Sequence, residues 1–194
     1  MSNSAHKSRY DLFRKRHYIS VIKQTVDYCT WLFGYKKMPF LFETENRDGE
    51  LMYICRGKKH QYAIFYDYKQ FKKIFGYLDF EGQLAYATLL IAHEMAHYYQ
   101  MRQIDSPKPR ESAEILEKWR ANDENAKFPD ECDSLLNFYM QPMELDAELF
   151  AYVFVAEHLN AKISVDFIDP NYLKEMEKRY VYLYGETNEE LFGK

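Results

Sequence analysis

The run Ile91 to Gln100, IAHEMAHYYQ, sets two histidines and a glutamate into surroundings that are otherwise apolar or small. Leu84, Ala85, Ala87, Leu89, Leu90, Ile91, Ala92, Met95 and Ala96 flank them. Residues four apart share one helix face, so His93 and His97 point the same way, and Glu94 lies about 100° around from His93. Imidazoles and a carboxylate in such a setting are costly unless something pairs with them. The run therefore predicts a long helix, about Glu81 to Gln103, whose polar residues have a dedicated partner. A metal ion is such a partner. Two imidazoles at i and i+4 chelate one tetrahedral ion, and the glutamate beside the first reaches a bound water without being a ligand, which is the H-E-x-x-H arrangement of zinc hydrolases.

A third ligand is then required. An extended H-E-x-x-H-x-x-G-x-x-H motif would need Gly and His where this chain has Gln100 and Gln103, so that class is excluded. Downstream, PMELDAELFAYVF carries Glu144, Asp146 and Glu148 in a stretch rich in Leu, Ala, Phe and Val. Glu144 and Glu148 share a helix face with the small Ala147 and Ala151, which permit close approach of another helix. Glu144 is the candidate third ligand, and Glu148 the candidate acceptor that orients a ligand histidine. The alternative for both is a solvated helix face. Asp146 sits about 200° from Glu144 and serves another face. His158, nearly four turns beyond Glu144, reads as a packed or surface histidine.

Around these two helices the pattern is that of one α+β domain spanning 1–194. Leu12, Ile19, Ile22, Val26 and Cys29 predict a first amphipathic helix from Ser8 to about Phe33, ending near Gly34. MPFLFETE reads as a strand, and 51–56 and 61–67 read as a hairpin about a Gly-Lys-Lys turn. YKQFKKIF is a short helix or irregular. Residues 105–132 are polar, hold three prolines and carry eight acids against five bases, which marks an excursion with a short helix near 111–121. Pro142 opens a helix to about Leu159, and Asp169 and Pro170 cap and open a terminal one. The expected architecture is helices on one face of a small sheet of about three strands.

Composition narrows the function class. With 47% apolar residues, 18 Tyr and 14 Phe, the 194-residue chain is unlike a disordered one. No apolar run is long enough to span a bilayer, and no secretory pattern is visible at the N-terminus. Three cysteines without a C-x-x-C pair argue against a disulfide framework or a cysteine zinc site. A cytoplasmic protein with no membrane partner is the simplest reading. Residues 1–80 carry 15 Lys/Arg against 8 Asp/Glu, whereas 81–194 carry 11 against 22. The basic half is either a solvated surface or a contact for nucleic acid or an acidic partner.

HEMAH followed by ELDAELFA resembles the gluzincin pattern, and in particular the ImmA/IrrE family of small cytoplasmic metallopeptidases. By that resemblance His93, His97 and Glu144 hold one Zn2+, Glu94 is the general base, and Ala147, Phe150 and Ala151 belong to the ligand helix. Glu148 stands where that family usually has Asp or Asn. The implied fold is zincin-like, and the implied activity is zinc-dependent hydrolysis of a protein or peptide substrate. Any of several tyrosines, Tyr98 and Tyr99 among them, could assist at the oxyanion. The strand at 61–67 is the expected platform for pairing an extended substrate. The competing reading is a non-catalytic zinc-containing binding module, or a degenerate hydrolase, of a mobile element or phage.

Overall fold

The structure is a computed structural model that describes residues 2–45, 50–58, 61–159, 169–185, 187–188 and 191–192, with backbone alone for 2–10. Lys59 of the expected Gly-Lys-Lys turn lies outside the described residues. Among the described residues the architecture is α+β, with seven α-helices and one three-stranded mixed sheet. The chain divides into two compact units, Met1–Glu94 and Met95–Lys194. The division falls inside one helix, α3 (Phe80–Ile104), which is continuous through it.

The first unit is built on α1 (Ser2–Leu32), which buries Tyr18, Ile22, Val26 and Cys29. This corrects the N-terminal end of the expected stripe. Leu12 is 51% exposed, and Tyr18 takes the place at the core. The reason is tertiary: Tyr18 meets the rings of Tyr66 at 6.1 Å and Phe71 at 4.4 Å, contacts no periodicity within α1 can reveal. The helix stops where Gly34 turns to φ 67°. There the Tyr35 N–H donates to the Thr30 carbonyl at 2.9 Å, satisfying a terminal acceptor.

The sheet comprises β1 (Phe40–Glu43), β2 (Met52–Arg56) and β3 (Tyr62–Tyr66) in the order β1-β3-β2. The hairpin expected from the sequence is the antiparallel β2–β3 pair, with Ile54 opposite Ile64. β1 joins the other side of β3 in parallel, Leu41 opposite Ile64. This overturns one expectation. β3 is the central strand, with both edges hydrogen-bonded, so it cannot pair a substrate. The edges belong to β1 and β2.

Alternation places Met52, Ile64 and Tyr66 on the covered face, toward α1 and α2 (Tyr68–Phe75). The opposite face carries a row of rings: Phe42 stacks on Phe65 at 5.4 Å, and Phe65 on Tyr53 at 5.0 Å. Phe40 and Phe42 on β1 are 57% and 48% exposed. The segment YKQFKKIF, open to either reading in the sequence, is helical because the Asp67 carboxylate accepts from the Gln70 N–H at 2.9 Å.

The second unit contains the end of α3 and then α4 (Ala113–Glu124), α5 (Leu135–Tyr139), α6 (Pro142–Leu159) and α7 (Pro170–Tyr184). Pro142 and Pro170 open their helices as the sequence predicts, and the Asp169 side chain accepts from the Asn171 N–H at 2.8 Å. α4 is more than a piece of an excursion. Its Ile115, Leu116 and Trp119 are buried with Met143 of α6, and Tyr99, Met101 and Ile104 of α3 pack against them. Among the described residues no helix is long and apolar enough to cross a membrane.

Candidate metal centre

Three side chains converge where the sequence placed them. The ligand atoms of His93, His97 and Glu144 all lie within 4.8 Å of one another. The two histidines come from successive turns of α3, and Glu144 from the first turn of α6. His97 is buried and the other two are half-buried.

The spacing can be tested against what an ion requires. Two ligands held at about 2.0–2.1 Å around a tetrahedral centre stand about 3.3–3.4 Å apart. His97 Nε2 and Glu144 Oε1 are 3.4 Å apart. That exceeds the usual length of a charge-assisted hydrogen bond, about 2.7–2.9 Å, and matches the edge of a coordination tetrahedron. Two imidazoles and one carboxylate can hold a divalent ion and leave its fourth position open. The residues present therefore fit a metal ion, and no cysteine belongs to the group.

Glu94 is buried, on the turn between the two histidines. In the first unit its charge is felt on β2: burial first, then Glu50 and Glu94, push up the thiol of Cys55. The edge strand β2 thus lies within electrostatic reach of the candidate base.

The acids of α6 separate by face. Asp146 faces away from the ligands, as its position around the helix implies. It receives the Arg179 guanidinium, Nε at 2.5 Å and Nη2 at 2.9 Å, and the Trp119 Nε1–H at 2.8 Å. Glu148 is half-buried on the side of Glu144. Burial, reinforced by the charges of Glu148 and Glu144, raises the hydroxyls of Tyr139 and Tyr172. Tyr98 is buried, and Tyr99 donates its hydroxyl to Glu111 at 2.6 Å. His158 is exposed against the ring of Phe154, 4.5 Å away.

Sequence reasoning missed Gln100. Its Oε1 lies 2.8 Å from His97 Nδ1, and its Nε2 donates to the Met143 carbonyl at 3.0 Å. In the sequence it stands only where the extended motif would need a glycine. The available signal was a single amide three residues after a candidate ligand, on an apolar helix. Gln103 also has a role: its Oε1 accepts from the Arg110 N–H at 2.7 Å and holds the chain as it leaves α3. Asn122 of α4 was missed as well. Its Oδ1 accepts from the Met143 N–H at 2.8 Å, so α4 caps the first turn of the helix that carries Glu144.

Comparison of the chain with family models, with curated proteins and with solved structures returned no match.

Proposed function

We propose that this chain is a zinc-dependent metallopeptidase of gluzincin type, acting on a protein or peptide substrate. The observation that carries the reading is the 3.4 Å separation of His97 Nε2 and Glu144 Oε1 beside a buried Glu94. A structural site fills four positions with protein ligands, and this group offers three plus a carboxylate suited to a base.

In this reading His93, His97 and Glu144 hold one Zn2+ per chain. Bound zinc supplies Lewis-acid polarisation of a carbonyl and a water of lowered pKa. With the ion bound, Glu94 would serve as the base toward a water and as the acid toward the leaving amine. An extended substrate pairs with β2, an edge strand within reach of the Glu94 charge, rather than with the central β3.

Glu144 and Glu94 are both acids, and this reading gives them different failures. Glu144→Ala removes a ligand oxygen, so zinc measured by elemental analysis should be lost on dialysis against a chelator. Glu94→Gln keeps the size and the zinc, while peptidase activity falls by about 10²–10⁴. Circular dichroism should show both variants folded. Should Glu94→Gln lose the metal while Glu144→Ala keeps it, the open catalytic site is misread and the non-catalytic zinc-containing module takes its place.

A further inference from the structure

Histidine can present only one of its nitrogens to a metal as a free lone pair, and something must decide which. Around His97 the decision can be traced through two hydrogen bonds. A backbone carbonyl accepts and never donates. The Met143 carbonyl therefore requires the –NH2 end of the Gln100 amide, whose Nε2 lies 3.0 Å from it. With its amino end committed, Gln100 turns its oxygen to His97, 2.8 Å from Nδ1. An oxygen at that distance needs a proton between, so Nδ1 carries the hydrogen. Nε2 is left with its lone pair on the side of Glu144 Oε1.

Gln100 is 2% exposed, so water does not compete for either bond. Met143 is equally fixed. Its N–H is capped by Asn122 and its side chain belongs to the apolar cluster with Ile115, Leu116 and Trp119.

We infer that Gln100 is a positioning residue that sets the tautomer of His97 by reading a main-chain carbonyl of α6. The inference rests on the proposed metal site for its purpose, but its first test does not. The relay also explains the amide at this position. A carboxylate would accept from His97 equally well, yet would set a second acceptor against the Met143 carbonyl. An aliphatic side chain would make neither of the two contacts.

The test uses the full chain with its histidines labelled with 15N. In metal-free protein at about pH 8, above the ordinary imidazole range, long-range nitrogen–proton correlation reports which ring nitrogen of His97 carries the proton. The wild type should show Nδ1–H. Gln100→Leu should shift His97 toward Nε2–H, and Gln100→Glu should restore Nδ1–H. In chelator competition with zinc, Gln100→Leu should bind about 10–100-fold more weakly than the wild type, and Gln100→Glu should recover most of that loss. A wild-type His97 protonated on Nε2, or a folded Gln100→Leu variant with unchanged tautomer and unchanged affinity, overturns the inference. A wild-type protein that takes up no zinc but shows the Nδ1–H form, lost in Gln100→Leu, retains the relay and removes the zinc reading instead.

Discussion

At the scale of single residues, the partners a buried acid or thiol meets decide what it can do. Asp146 has a two-point guanidinium contact and an indole N–H, so it is spent on structure, while Glu144, two residues earlier, faces the histidines. The cysteines divide in the same way. Cys29 is fully buried in α1, and burial pushes its thiol from an ordinary value near 9 up to about 12. The folded state therefore holds that proton over a range in which the unfolded chain releases it. The resulting stability is present below about pH 9 and is lost as pH rises toward 12, at most about 4 kcal/mol across the window. Urea unfolding should show a flatter alkaline limb in Cys29→Ala than in the wild type. In the native protein at neutral pH, a thiol reagent should modify the exposed Cys55 and leave Cys29 untouched until unfolding.

At the scale of elements, the ends of helices were more legible than the company they keep. Pro142, Asp169 and Gly34 mark boundaries through local backbone chemistry, which a sequence states directly. The parallel pairing of β1 with β3 and the burial of Tyr18 depend on partners distant along the chain, and no periodicity encodes them. The histidine pair of the candidate group was legible because ligand chemistry constrains spacing within one helix, and Glu144 because a carboxylate stands out in an otherwise apolar helix. Gln100 was not, because its second partner is a main-chain atom 43 positions away. The excursion at 105–132 shows the same divide. Its polar composition marked it as an excursion, yet three apolar side chains at helical spacing seat α4 on Met143, and Asn122 caps α6. Limited proteolysis should therefore cut on either side of α4, in 105–112 or 125–134, before cutting within it. Asn122→Ala leaves the Met143 N–H without its cap and should cost about 1 kcal/mol in urea unfolding. Early cleavage inside α4 in the wild type would show that this packing does not hold the helix in place.

At the scale of the whole molecule, the charge imbalance follows the division into units. Met1–Glu94 holds 15 Lys/Arg against 10 Asp/Glu, and Met95–Lys194 holds 11 against 20. The unit that supplies His97 and Glu144 is thus the acidic one, and a field of that sign concentrates cations near its surface. The rate of metal uptake by apoprotein, followed by stopped flow, should fall several-fold as ionic strength rises from about 0.01 to 0.15 M, because the Debye length shrinks from about 30 to 8 Å. A rate independent of salt would mean that the ligands act without help from the surrounding charge. The two tryptophans divide as the charges do. Trp31 is 70% exposed in the first unit, and Trp119 is 5% exposed in the second, its indole N–H on Asp146 and its ring edge-on to Tyr99. The protein thereby carries its own optical gauge. In Trp31→Phe the emission comes from the seam of α4 and α6 alone and should resist acrylamide quenching, whereas in Trp119→Phe it should be quenched freely. Because that seam is closed by apolar packing around Met143, Trp119 emission should hold steady when a chelator strips the metal, and a red shift would reveal that the ion, rather than the side chains, keeps the seam dry.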